Sequence, residues 1–167
     1  EHWNNVHVWK SGPDKGRVRY VEFFMFNTHE EIPFEVQYLT AAEEIVFYAN
    51  TNTFLRSLDT GEHITKLVNL KRLTIGAYGL TTLHPDFRNL KNLEYLDLSS
   101  NCFQTIPDIL TPENFPNLHA LVINANQRHT IYDLSNDIRE NVGGFIDEPK
   151  FPERILKWNK LDTIRLS

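Results

Sequence analysis

Apolar residues recur along this chain at relative positions 1, 4, 7 and 9 of a repeating unit, often with asparagine at position 12. Leu90, Leu93, Leu96, Leu98 and Asn101 carry the pattern, followed by Phe103 and Ile106. Phe115, Leu118, Leu121, Ile123 and Asn126 carry it again, as do Leu39, Ala42, Ile45, Phe47 and Asn50. Leu67, Leu70, Leu73 and Ile75 fit with Tyr78 in the asparagine place, then Leu80 and Leu83. Trp158, Leu161, Ile164 and Leu166 fit at the chain end. Four specified apolar positions match by chance at about 3% of start points, or roughly four or five times here, so the matches alone decide little. Their spacing decides more. The position-7 residues Ile45, Leu73, Leu96, Leu121 and Ile164 are separated by 28, 23, 25 and 43 residues. The first three steps suit one coil each of a stacked repeat, and the last requires an insertion.

In the stretch x-L-x-L-x, successive side chains point to opposite faces of a short strand. The apolar pair faces the core, and its neighbours line a concave outer surface. Those neighbours are Tyr20, Glu22 and Phe24; Glu44, Val46 and Tyr48; Arg72, Thr74 and Gly76; Tyr95, Asp97 and Ser99; Ala120, Val122 and Asn124; Thr163, Arg165 and Ser167. The asparagine leaves the strand at a turn, where its side chain satisfies backbone groups that no strand reaches. Stacked coils therefore predict an asparagine ladder. Apolar residues further on, such as Ile106 and Ile109, close the core from the convex side.

The two ends read differently. Val6 and Val8 alternate with polar residues between Trp3 and Trp9, Ser11 to Gly16 form a turn, and Val18 to Phe26 is strand-like. This predicts a hairpin covering the end of the stack, because an uncovered terminal coil leaves core residues wet. Residues 127–157 break the period. Asp133-Leu134-Ser135-Asn136-Asp137-Ile138 predicts a capped short helix ended by Gly143-Gly144, and Pro152 opens a second helical turn up to Trp158. The expected organisation is one domain over 1–167: a cap over 1–20, repeats over 21–126, an irregular insert over 127–157 and a final repeat strand over 158–167. Glu1 stands where a full reading frame would have Met, so the chain is expected to be a processed or partial product. A stack ending on a bare strand is likewise expected to continue past Ser167.

These residues carry a family resemblance. Trp3-x-x-Val6-x-Val8, Gly16-Arg17-Val18, Val21-x-Phe23, Glu31-Ile32-Pro33, Glu35-Val36 and Leu39-Thr40 resemble the opening of plant-type leucine-rich-repeat domains. With the later repeats, the resemblance runs from Trp3 to about Asn126 and resumes over Trp158 to Leu166. Phe26 stands where the first asparagine belongs, Tyr78 replaces another, and the paired cysteines of plant caps are absent. The resemblance implies an α/β solenoid, a leucine-rich-repeat right-handed superhelix with a parallel concave sheet and an N-terminal hairpin cap. It also implies a secreted or surface-anchored bacterial protein, lipoprotein-like, of the kind found in gut Bacteroidetes. It leaves the ligand undetermined; the outward aromatics point to protein binding through the concave face, with glycan capture as the alternative.

Charge and chemistry narrow the partners. A formal net charge of -5 argues against the cationic footprint of a nucleic-acid binder. No stretch approaches the roughly 20 apolar residues of a membrane span. The single cysteine, Cys102, allows no intramolecular disulfide, and nothing around it in sequence marks a reactive thiol. Seven histidines are dispersed (His2, His7, His29, His63, His84, His119 and His129) without H-E-x-x-H spacing. Asp133, Asp137, Glu140, Asp147 and Glu148 lack EF-hand spacing and read as a solvated acidic loop. No catalytic constellation, cofactor or metal site is expected. The candidate site is the set Tyr20, Glu22, Phe24, Glu44, Tyr48, Arg72, Thr74, Tyr95, Asp97, Ser99 and Asn124, with aromatic anchors in its N-terminal half.

Overall fold

A computed structural model of the chain describes residues 5–25, 32–49, 61–78, 80–124, 129–133, 138–142 and 152–166. Among them, nine strands form: β1 (Val6–Val8), β2 (Val18–Met25), β3 (Glu44–Ala49), β4 (Arg72–Gly76), β5 (Tyr95–Asp97), β6 (Ala120–Val122), β7 (His129–Asp133), β8 (Ile138–Val142) and β9 (Thr163–Arg165). Seven of them make one sheet in the order β1-β2-β3-β4-β5-β6-β9. Every pair from β2 to β9 in that sheet is parallel, and β1 runs antiparallel to β2. The turn between β1 and β2 uses Gly12 and Gly16 at φ of +82° and +85°, where side-chain-bearing residues are strained. β2 itself crosses the boundary expected at residues 20 and 21, so hairpin and parallel sheet share a strand.

The repeat spacing fixes the register. Val21, Ile45, Leu73, Leu96, Leu121 and Ile164 are directly in line across the sheet. Ile45, Leu73, Leu96 and Leu121 are fully buried, whereas Ile164 on the last strand is 37% exposed. The second inward column runs through Phe23, Phe47 and Ile75. The Phe23 and Phe47 rings stack with centroids 5.1 Å apart. Opposite the sheet, 3-10 turns at Phe34–Tyr38, Pro85–Asn89 and Glu153–Lys157 insert Val36, Phe87 and Ile155 into the same core. Proline at or just before each turn presets its backbone.

Polar ladders lock one coil to the next. Asn101 is fully buried. Its Oδ1 accepts from the Tyr78 and Leu80 amides at 3.0 and 3.2 Å, and its Nδ2 donates to the Ile75 and Leu98 carbonyls at 2.7 and 2.9 Å. The expected asparagine role is therefore present at Asn101; Asn50 and Asn126 lie outside the described residues. Tyr78, in the asparagine place of its own coil, is buried edge-on against Phe47. The residue just before each, Ala77 and Ser100, turns the chain with positive φ of 60° and 59°. A second ladder runs outside: the Asn69, Asn92 and Asn117 amides donate to the Thr40, Val68 and Lys91 carbonyls of the preceding coil. Along the strand entrances, Arg19, Glu43 and Lys71 alternate in sign, with pairs of 3.0 and 2.7 Å. Opposite charges across neighbouring strands favour this register over a slipped one.

The insert departs from expectation. Where a short helix beginning at Asp133–Ile138 and ended by Gly143-Gly144 is predicted, β7 and β8 pair antiparallel, from His129↔Val142 to Asp133↔Ile138. Thr130, Ile131, Ile138 and Val142 are β-branched and favour the pleat. The second expected helical turn is the 3-10 turn at Glu153–Lys157, and β9 follows it as the final repeat strand. Gly143 and Gly144 lie outside the described residues. Among the described residues, no helix is long and apolar enough to cross a membrane.

Candidate functional site

The outward face of the parallel sheet carries three columns of side chains. Strand register places Tyr20, Glu44, Arg72, Tyr95, Ala120 and Thr163 in the first. Glu22, Val46, Thr74, Asp97, Val122 and Arg165 form the second. Phe24, Tyr48 and Gly76 form the third. Ser99 and Asn124 follow β5 and β6, and Ser167 lies outside the described residues. The face is thus a product of register: a shift of one residue would bury every one of these side chains.

The first two columns hold a polar network. Arg72 pairs with Glu44 at 3.3 Å and lies over the Tyr95 ring, 4.2 Å from its centroid. The Tyr95 hydroxyl donates to Asp97 at 3.1 Å, and the Ser99 amide donates to the other oxygen of that carboxylate at 2.9 Å. Burial first, then the Asp97 charge, raises the Tyr95 pKa above the ordinary phenol value. Near the antiparallel edge, Tyr20 stacks on His7 with centroids 4.9 Å apart, and its hydroxyl donates to Glu22 at 3.2 Å. The Tyr20 pKa is also raised, by burial first and then by the Glu22 and Glu44 charges.

The third column is apolar. Phe24 is 50% exposed and Tyr48 is 36% exposed, with ring centroids 6.4 Å apart. The Tyr48 ring lies across Gly76, whose missing side chain makes room for it: a Cβ there would fall 2.7 Å from ring atoms Cδ2 and Cε2. The structure thus divides the four aromatics singled out from sequence. Tyr20 and Tyr95 are half-buried and tied into polar contacts, whereas Phe24 and Tyr48 are more exposed. Val122, also expected to face outward, is buried. Sequence reading did not foresee the Arg72–Tyr95 stack, the Gly76 notch or His7 against Tyr20. Only Gly76 left a signal, as a lone glycine in a strand.

Other concavities lie off this face. An open apolar cleft of about 550 Å³ sits between the β1–β2 hairpin and the Phe34–Tyr38 turn, lined by Val6, Val18, Val21, Phe23, Val36 and Leu39 among others. A polar groove of about 390 Å³ lies beside the Pro85–Asn89 turn, between Arg88, Thr105, Asp108 and Asn114. Cys102 is fully buried, and burial pushes its thiol up to about 11. Among the described residues, no three or more His, Cys, Asp or Glu side chains gather where they could hold a metal ion.

Residues 68–127 match the leucine rich repeat family, covering β4 to β6 and the turns between them. No curated protein matches the chain. Similar solved structures include an LRR protein of Leptospira interrogans, at 20% identity and a TM-score of 0.45 over 82% of this chain. An internalin from Listeria monocytogenes shows 16% identity and a TM-score of 0.43 over 89% of this chain. The chain spans 40% and 43% of the lengths of those two proteins. The parallel strands, stacked in register, fit a solenoid, and domains of the family matched over residues 68–127 generally mediate protein–protein interaction.

Proposed function

We propose that this chain is a non-catalytic module that binds a protein partner on the outward, concave face of its parallel sheet. The observation that carries the reading is the alignment of outward side chains across six strands, with polar groups held by one another and the Phe24 and Tyr48 rings partly exposed. Preorganised side chains lose less entropy on binding, and open aromatics are common anchors of protein interfaces. We place the module on a secreted or surface-anchored bacterial protein, with the β1–β2 hairpin as its N-terminal cap; the resemblance of the opening segment supports both. A flat, open ring such as Tyr48 also suits a sugar face, which keeps glycan capture as the second reading.

The test is a double substitution, Tyr48→Ala with Tyr95→Ala, probed against a protein array beside a polysaccharide array. Binding to proteins that falls at least about ten-fold while the circular dichroism spectrum holds supports the proposal. Undiminished protein binding refutes the placement, and loss of glycan signal alone favours the second reading.

A further inference from the structure

The charges on the outward face are unevenly spent. Glu44 is neutralised by Arg72, and Asp97 takes two hydrogen bonds. Glu22 differs: among the described residues its hydrogen-bond partner is the neutral Tyr20 hydroxyl, and no cation pairs with it. Two residues along the same strand stands Phe24, beside Tyr48 on β3. Residues two apart on one face of a strand are about 7 Å apart. The exposed apolar pair and the unneutralised carboxylate are therefore neighbours on one end of the sheet.

We infer that β2 and β3 form the anchoring end of the binding face, and that it takes a peptide segment carrying a large apolar side chain about 7 Å from a Lys or Arg. The inference rests on the sheet face being the binding surface. The apolar side chain lies against Phe24 and Tyr48; the cation meets Glu22. Gly76 has a positioning role, because its missing side chain lets the Tyr48 ring lie across the neighbouring strand β4. The complementary charge sets the occupant's chemistry. An acidic or purely apolar segment would leave Glu22 desolvated without a counter-charge, which is costly. At the other end of the face Arg165 would repel the same cation, so the segment has a preferred end.

A phage library of random dodecapeptides selected on the whole 167-residue chain tests this, with enriched peptides then synthesised and titrated. The expected peptides share a Lys or Arg close to Leu, Ile, Phe or Trp. Tyr48→Ala should weaken them about thirty-fold and Glu22→Gln about five-fold, the latter more at low salt. Gly76→Ala should weaken them without loss of native circular dichroism, and Arg88→Gln on the opposite side should not. A library yielding no binder, peptides without a basic residue, or affinity indifferent to Glu22→Gln and Tyr48→Ala would overturn the inference. Peptides sensitive to Tyr95→Ala or Arg165→Gln instead would leave the sheet-face reading standing and sink only this placement. Peptides indifferent to every outward substitution would sink both.

Discussion

Replacing Asn101 with alanine should be among the most damaging single changes in the chain. The side chain ties its coil to the preceding one through three bonds and closes its own turn through the Leu98 carbonyl, in a site with no solvent to take over. Alanine would orphan the Tyr78 and Leu80 amides. Each buried, unmet donor costs about 1–3 kcal/mol, so the pair costs about 2–6 kcal/mol. Against a total stability of about 5–15 kcal/mol, that is a large share. At about 2–4 °C per kcal/mol for a chain of this size, the melting temperature should fall by about 5–20 °C. Stacked repeats can open locally, so hydrogen exchange is the sharper assay. The Tyr78 and Leu80 amides should lose protection first. Asn101→Asp separates geometry from chemistry, because it keeps the acceptor but turns an anion toward the Ile75 and Leu98 carbonyls. That carboxyl favours its protonated form in the fold. Its destabilisation should thus be large at neutral pH and shrink as pH falls toward the ordinary carboxylate range. A melting shift below about 2 °C for Asn101→Ala, with both amides still protected, would refute the reasoning.

Further outcomes follow from single contacts. Ser100→Gly should stabilise by up to about 1 kcal/mol in thermal melts, because Ser100 sits at positive φ. The Glu43 pKa is held below the ordinary carboxylate value by Lys71 first and Arg19 next. The stabilisation it gives is therefore complete above the unfolded value and fades as pH falls through the lowered one. Glu43→Gln should cost less than about 1 kcal/mol at neutral pH and nothing in acid, measured by urea melts across pH. Cys102 should ignore a maleimide in the native protein and react once in denaturant, since it is fully buried with its thiol pushed up to about 11. Gly76→Ala should shift the Tyr48 ring-proton resonances while leaving the melting temperature within about 2–4 °C of wild type, because only a surface ring must move.

The coil spacing was legible because the core demands it. Ile45, Leu73, Leu96 and Leu121 each need the same depth in the stack, so their periodicity survives in sequence. Trp158 and Ile164 could be recovered across the long insert for the same reason. The insert was less legible because its cues are local: Asp133 can cap a helix as readily as it ends a strand, and pairing of His129–Asp133 with Ile138–Val142 decides between them. The second ladder of Asn69, Asn92 and Asn117 went unread although each precedes a core leucine, since an exposed asparagine has many ordinary roles. The division of the outward face into a polar network and an open aromatic pair depends on rotamers and on neighbours from other coils. The Arg72–Tyr95 contact joins residues 23 apart, and nothing in either local sequence announces it.

Cross-linking across the sheet is the most direct test of the shared register. Val46 and Thr74 are register partners on β3 and β4, and both face outward. Parallel neighbours lie about 4.8 Å apart, within disulfide reach. In a Cys102→Ser background, Val46→Cys with Thr74→Cys should oxidise to a single intramolecular disulfide and retain the native spectrum. Val46→Cys with Asp97→Cys, two strands apart, should stay reduced. A pair that fails to close at 46 and 74, or closes at 46 and 97, would contradict a face built from stacked parallel strands.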